Sequence, residues 1–505
     1  MVEPVYEKLN YCQKIAQIKE QISLSAKSSV SCQEIDSVLS VSPFAVIDSI
    51  ETLQGKIKYS GRINFFVCYL DKQNAIKKCE CAGEFNGQIS NDLIEEDAKV
   101  SLTSIIEKSS VELNGALLTA NAILSLDASL TKQFEQNAVS GGKNIFVQER
   151  EIEIEKGLGI RLGACVLEEK FELSYSVEEV MFHQANAVIS SVQSGVGCII
   201  VEGQVLLSLV LLQKTEKKDI IKVCKTLPFR TEIECEECMP NLKSVAFVRE
   251  KPVKTDIEVD ENTNTSVVSV SVSLNLEGQT YLNQTVMVAE DLFCTTHHLD
   301  IERKTIEDFS VKQLSSTSFM LNGRCGVGEL APSTNVLATA QESVIILSHA
   351  VQGDKLTVNG VCTAVAYLMD GEGLVFSRRL ELPFEKTVDN IDGGNFNDDY
   401  TFTAKAFRTS AKITSLTEIE LDGEIFLTVY PSQTNRLRFI SQIAEGQEKE
   451  QKKSAISVYI SQGGEQLFSL AKSLNVCPEE LARTNEDLNF PLDGNERIVI
   501  YRQLQ

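Results

Sequence analysis

Three stretches of the chain share one strict alternation, each interrupted on its apolar side by a single glycine. Ile57, Tyr59, Ile63, Phe65, Val67 and Tyr69 flank Gly61; Ile199, Val201, Val205, Leu207, Leu209 and Leu211 flank Gly203; Leu356, Val358, Cys362, Ala364, Ala366 and Leu368 flank Gly360. A period of two belongs to a strand, whose side chains alternate between faces, and no helical stripe satisfies it. Glycine on the buried face of a strand marks a bulge or a close approach of another group. The glycines lie 142 and 157 residues apart, so the repeating unit is a domain and not a short solenoid turn. Each unit continues to Phe85, Pro228-Phe229 or Pro383-Phe384, read here as corners, and then to a second alternating strand. Those strands hold Leu118, Ala120, Ala122, Leu124 and Leu126; Val268, Val270, Val272, Leu274 and Leu276; and Ile419, Leu421, Gly423, Ile425 and Leu427. One polar and one apolar face per strand predicts half-buried antiparallel sheets packed face to face. The expected class is mainly β, with three tandem β-sandwich-like repeats.

A chain of 505 residues exceeds a single core. Polar breaks suggest boundaries at 136–143, which contains Ser140-Gly141-Gly142, near Gln284, and at 445–453. The expected units are 1–136, 144–284 and 285–444, then a charged linker over 445–453 and a small module over 454–505. The linker has almost no apolar residues and is expected to leave the module mobile.

Seventy-one acidic against 48 basic residues give a formal net charge of −23. Nucleic acid demands a basic footprint, so that class of partner is excluded, and an anionic membrane surface is disfavoured. The first residues have no basic segment leading to an apolar core, so no secretory leader is expected. The most apolar window, Gly195 to Leu212, is broken by Glu202 and Gln204 and reads as a strand, not a transmembrane segment. The expectation is a soluble intracellular protein whose 14 cysteines are reduced and mostly buried. Tryptophan is absent, which favours a protein ligand over a stacked sugar.

Cys235-Glu236-Glu237-Cys238 could supply half of a zinc site, but four ligands are needed. Cys79 with Cys81, or Cys294 with His297 and His298, lie in other repeats, so the pair is read as solvated turn residues, with no metal and no cofactor. None of His183, His297, His298 and His349 stands in a motif that would activate a neighbouring nucleophile. Adjacent acids such as Glu178 and Glu179 face opposite ways on a strand. Without an acid/base constellation the chain is not expected to be an enzyme.

The last fifty residues read as a complete small unit. Ile456 to Ile460 is a strand, Gly463-Gly464-Glu465-Gln466 a turn, and Leu467, Leu470, Ala471 and Leu474 fall on one helical face. Pro478 opens a second helix, Glu479 and Glu480 suit its positive end, and Asn485 is expected to close it in a left-handed conformation. Gly494 precedes a last strand, Arg497 to Ile500. This pattern resembles a LysM domain, the βααβ module named for binding N-acetylglucosamine polymers. The family usually carries Gly-Asp-Thr where this chain has Gly464-Glu465-Gln466, and Ile-Pro where it has Ile500-Tyr501. The resemblance implies a groove between two loops, with Gly464, Glu465, Gln466 and Leu467 on one side and Asn485, Leu488, Asn489 and Phe490 on the other. Leu488 and Phe490 are the expected apolar anchors, with Glu465 and Gln466 as polar rim, the alternative being that Leu488 belongs to the module's own core.

Three glycine-centred units followed by one such module are similar in domain order to the SPOCS-domain spore coat morphogenetic proteins of endospore-forming bacteria. That resemblance implies a scaffold of the spore coat, active in the mother-cell cytoplasm and recruited to the forespore surface. Its LysM domain would dock on a coat basement-layer protein, an ATPase. The alternative is a binder of peptidoglycan or cortex glycan.

Overall fold

A computed structural model describes residues 2–113, 116–215, 219–260, 262–352, 355–389, 399–450 and 456–501. The chain is mainly β, built of several antiparallel sheets. No helix among these residues is long and apolar enough to cross a membrane.

The first six strands are β1 (Glu3–Ser31), β2 (Ile35–Leu53), β3 (Lys56–Asp71), β4 (Ile76–Ser90), β5 (Lys99–Glu112) and β6 (Leu117–Lys143). They form two sheets, β2-β3-β4 and β1-β6-β5. The alternating apolar residues of β3 and β6 meet in one buried cluster between them, including Ile63, Phe65, Ala122 and Leu124. Next come β7 (Phe146–Leu173), β8 (Val177–Ser194), β9 (Cys198–Gln213), β10 (Ile220–Glu234), β11 (Lys243–Glu250), β12 (Lys254–Asp260) and β13 (Thr265–Phe293). Here β8-β9-β10 faces a sheet centred on β13, which pairs with β7 along one edge and with β11 and β12 along the other. The apolar window around Gly203 is thus the central strand β9. Then follow β14 (His297–Val311), β15 (Ser315–Gly326), β16 (Asn335–Gln352), β17 (Lys355–Met369), β18 (Val375–Asp389), β19 (Asp399–Ser415) and β20 (Glu418–Glu448). In this stretch β16-β17-β18 packs on the sheet formed by β14, β15, β19 and β20.

The three glycines occupy one environment. Gly61, Gly203 and Gly360 pair directly with Phe85, Phe229 and Phe384. A Cβ would stand 2.5, 2.7 and 2.6 Å from those rings, and would also collide with a carbonyl of the neighbouring strand, that of Val46, Val188 or Ile345. On that neighbouring strand a bulge follows at once, after Ile47, Ile189 and Ile346. Both meanings of a buried strand glycine therefore apply. The phenylalanines lie in mid-strand rather than at corners, because their rings need the space that the glycines leave.

Seven residues beyond each glycine stand Cys68, Val210 and Tyr367, and these meet in a single cluster with Leu39, Phe182 and Ala338. The Tyr367 hydroxyl is 2.6 Å from Ser40 Oγ across this junction. Nearby, Lys222 on β10 pairs with buried Glu342 on β16 and donates to Thr339 Oγ1 and the Thr409 carbonyl, both at 2.9 Å. A charge buried at an interface needs that full set of partners.

At the other end, the boundaries expected at 136–143 and near Gln284 fall inside paired strands, as does the one expected at 445–453 as far as Glu448. β6 pairs with β1 to Lys143, β13 with β7 to Phe293, and β20 with β14 to Glu448. Beyond the sandwiches these pairs continue as three two-stranded ribbons. Each ribbon carries a bulge at an equivalent place, at Ser140, Glu290 and Ser441. A bulge turns two consecutive residues to the same side, and Ala138-Val139, Val288-Ala289 and Phe439-Ile440 are all buried. They fill two apolar clusters to which every ribbon contributes. The residues that suggested linkers are, as far as Glu448, paired strand positions of these ribbons. Residues 451–453 lie outside the described residues.

Between the ribbons Asp308 is buried beside Tyr11 and accepts from the Cys12 amide at 3.3 Å, with Glu155 and Lys243 adjacent. Burial pushes its carboxyl up to about 6.

Replacing Gly203 with Val should cost roughly 1–3 kcal/mol of unfolding free energy by overpacking against Phe229. Gly141, which has nothing within 4 Å of a built Cβ, is the control, and its change to Ala should stay within about 0.5 kcal/mol. Urea titration of both variants measures the difference, and equal losses would contradict the assigned role.

Candidate functional site

After the ribbons the chain forms β21 (Ile456–Ile460), α1 (Leu467–Leu474), α2 (Pro478–Thr484) and β22 (Arg497–Tyr501), with β21 and β22 antiparallel. Leu470 and Ala471 of α1, Val476, Leu481 of α2, Leu492, Ile498 and Ile500 make its buried core. Leu467 and Leu474 sit half-buried at its margin.

The left-handed helix end is at Asn475, with φ 56° and ψ 53°, where the amide of Val476 reaches back to the Ala471 carbonyl at 3.0 Å. Asn485, expected to play that part, has φ −126° and ψ 52°. Its side chain is buried and bridges helix to strand. Nδ2 donates to the Leu481 and Val499 carbonyls, each at 2.9 Å, and Oδ1 accepts from the Val499 amide at 2.8 Å. Both amide hydrogens are spent on the fold.

The two loops of the expected groove are tied through the backbone. Gly464, at φ +87°, donates to the Leu492 carbonyl at 2.8 Å, and the Leu492 amide donates to the Glu465 carbonyl at 2.9 Å. The Glu465 carboxylate turns back into the module. It accepts from the Tyr459 hydroxyl at 2.9 Å and the Gln462 amide at 2.8 Å, and the first of these bonds pushes the Tyr459 phenol up. Leu467, Leu488 and Phe490 are half-buried against the module's own core, while Gly464, Gln466 and Asn489 are exposed.

Gln466 and Leu467 border a cleft of about 560 Å³. Its other wall is the ribbon end, Gly141, Gly142 and Ile145 to Glu149, and none of Leu488, Asn489 and Phe490 lines it. The module is seated on the ribbons. Phe468 packs edge-on against Phe293, which in turn contacts Phe146, at centroid distances of 5.4 and 5.2 Å. Lys472 pairs with Asp291 at 2.5 Å, and Asn475 Nδ2 donates to the Thr295 carbonyl at 2.8 Å. Lys449 Nζ, within the expected linker, donates to the Cys294 carbonyl at 2.7 Å and to Asn475 Oδ1 at 2.8 Å.

A second surface, unmarked by any motif, lies on the two strands of the module. Ile456, Val458 and Ile460 alternate on the face of β21 turned away from the helices, opposite Tyr501, Val499 and Arg497. Ile456, Val458, Ile460 and Tyr501 are each at least half exposed. The signal lay in the strand's own order, since Ser457 and Tyr459 take the positions that face the helices.

Elsewhere, the Cys235–Cys238 turn is closed by a 2.9 Å bond from the Cys238 amide to the Cys235 carbonyl, and both thiols are buried in the core of the second sandwich. They are not solvated, because Gly197 bonds to both backbone ends and folds the turn inward. His183 is half-buried against the Phe66 ring, and burial lowers its imidazole to about 4. It lines a cavity of about 1270 Å³ bordered by β2, β5, β8, β11, β16 and β19. No protein-family model, curated protein or solved structure matches the chain.

Asn485→Ala strips two helix-to-strand links and leaves buried carbonyls unpaired. The module's unfolding free energy should fall by roughly 1–3 kcal/mol per orphaned group. Hydrogen exchange of residues 478–500 in the full chain reads this out; unchanged protection would return Asn485 to the binding surface.

Proposed function

We propose that the chain is a non-enzymatic assembly scaffold of the spore coat, made of three copies of one SPOCS-like sandwich and a LysM-like module that docks on a coat basement-layer protein. On this reading, which the resemblance in domain order supports, it works in the mother-cell cytoplasm, is recruited to the forespore surface and has the basement-layer ATPase as partner. One observation carries the docking step. Two of the groove's four polar side chains, Glu465 and Asn485, are engaged within the module, whereas β21 and β22 present an apolar face to solvent. Contiguous exposed apolar surface marks an interaction site, and its energy concentrates in a few large side chains. Val458 sits at the centre of that face and Tyr501 at its edge. The β-rich scaffold contributes rigid spacing, since the three sandwiches share buried clusters at both ends.

Calorimetric titration of the full chain with the basement-layer ATPase and with a chito-oligosaccharide separates this from the glycan reading. Binding of the ATPase alone is expected, weakened about tenfold or more by Val458→Lys. Saccharide binding without ATPase binding would instead favour peptidoglycan or cortex glycan as ligand.

A further inference from the structure

One strand departs from the polar dress of its counterparts. On one side of β6, β13 and β20 within the sandwiches lie β1, β7 and β15. Along β1 the exposed row is Gln17, Lys19, Gln21, Ser23 and Ser25, and along β15 it is Ser318, Met320, Asn322 and Arg324. Along β7 the same row is Ile160, Leu162, Ala164 and Val166, all exposed. The three large residues of that row are 45, 76 and 59% exposed. Leu162 borders the cavity between the sandwiches and still keeps most of its surface in solvent. Among the described residues β7 pairs on one side only, with β13, and its other edge is an open sheet edge. An open edge under an apolar row is a template for another strand.

We propose that this edge is a self-association surface, where β7 of one molecule pairs antiparallel with β7 of a second copy of this chain. Two features favour a second copy. The first is symmetry: the apolar run extends from Ile160 to Val166 and its midpoint is Gly163. Antiparallel pairing about Gly163 sets Ile160 against Val166 and Leu162 against Ala164, so every outward cross-strand pair is apolar. A register shift of one would put outward residues opposite inward ones, so the pattern itself selects the pairing. The second is charge. A molecule of net charge −23 repels its copy, and β7 is acidic on both sides of the run, with Glu149, Glu151, Glu153 and Glu155 before it and Glu168, Glu169 and Glu172 after it. From Lys156 to Leu167 there is no carboxylate, and Arg161 is the one charge inside the run. Pairing there is the contact along β7 that brings fewest like charges together. On the inward side Arg161 is held by Glu237 at 2.8 Å, which keeps that face of the strand occupied and leaves the edge free. A seven-residue edge is a modest contact, so association is concentration-dependent. This surface is separate from the β21–β22 face, and the two proposals stand or fall independently.

Sedimentation velocity of the full chain over a wide dilution series tests it, beside Leu162→Lys and Met320→Lys. Leu162 and Met320 are about equally exposed, and Met320 lies on the corresponding row of the third sandwich, so its variant controls for added charge. The wild type and Met320→Lys should pass from monomer to dimer with rising concentration, while Leu162→Lys, with unchanged circular dichroism, dissociates roughly tenfold more readily or stays monomeric. Val166→Lys is the second variant and should behave like Leu162→Lys. A wild type that is monomeric throughout overturns the proposal and leaves the strip to an extended segment of another protein. Dimers that survive both β7 substitutions also overturn it.

Discussion

The contact of a phenylalanine ring with a strand glycine sets the register from which the rest of the fold follows. With Gly61 opposite Phe85, Gly203 opposite Phe229 and Gly360 opposite Phe384, a slip of even one residue would drive a side chain into the ring. Because register is fixed there, the residues seven positions on are fixed too. Cys68, Val210 and Tyr367 therefore reach the junction at which all three sandwiches meet. Local packing within each sheet thus decides how the sandwiches join, through a buried cluster whose polar atoms, such as the Tyr367 hydroxyl, are satisfied across it.

The far ends depend on a different device. A two-stranded ribbon cannot bury its residues alone and is marginal in water. Three ribbons side by side can, provided that each turns enough apolar surface inward. The bulges at Ser140, Glu290 and Ser441 do this by placing two consecutive residues of each strand in the shared clusters. The C-terminal module then rests on the ribbon ends through Phe293 and Asp291. Its seating explains why a segment as charged as 445–450 is ordered: Glu445 and Glu448 lie in a paired strand, and Lys449 is hydrogen-bonded between ribbon and module.

The central strands were legible in the sequence because a single rule, alternation about a glycine, governs them from end to end. The ribbons were not, and the reason is the bulge: Ala138-Val139 and Phe439-Ile440 break the alternation where the strand is most buried, so the flanking polar residues read as linkers. In the candidate site, the order of turns and helices could be read from Gly464, Pro478 and the spacing of Leu470 and Ala471. Which side chains were free could not. The carboxylate of Glu465 and the amide of Asn485 satisfy groups on the module's two strands, Tyr459 on β21 and Val499 on β22, and that pairing exists only once the module has closed. The exposure of Ile456, Val458 and Ile460 was hidden for the same reason, since alternation identifies two faces without saying which one the helices cover.

The central claim is that three ribbons, each too small to be stable alone, form one shared core. Amide hydrogen exchange along 132–143, 281–293 and 433–448 of the full chain tests it most directly. The account predicts protection in these segments comparable to that of β3, β9 and β17 at the centres of the sandwiches. Rapid exchange there, as in frayed independent hairpins, would contradict it.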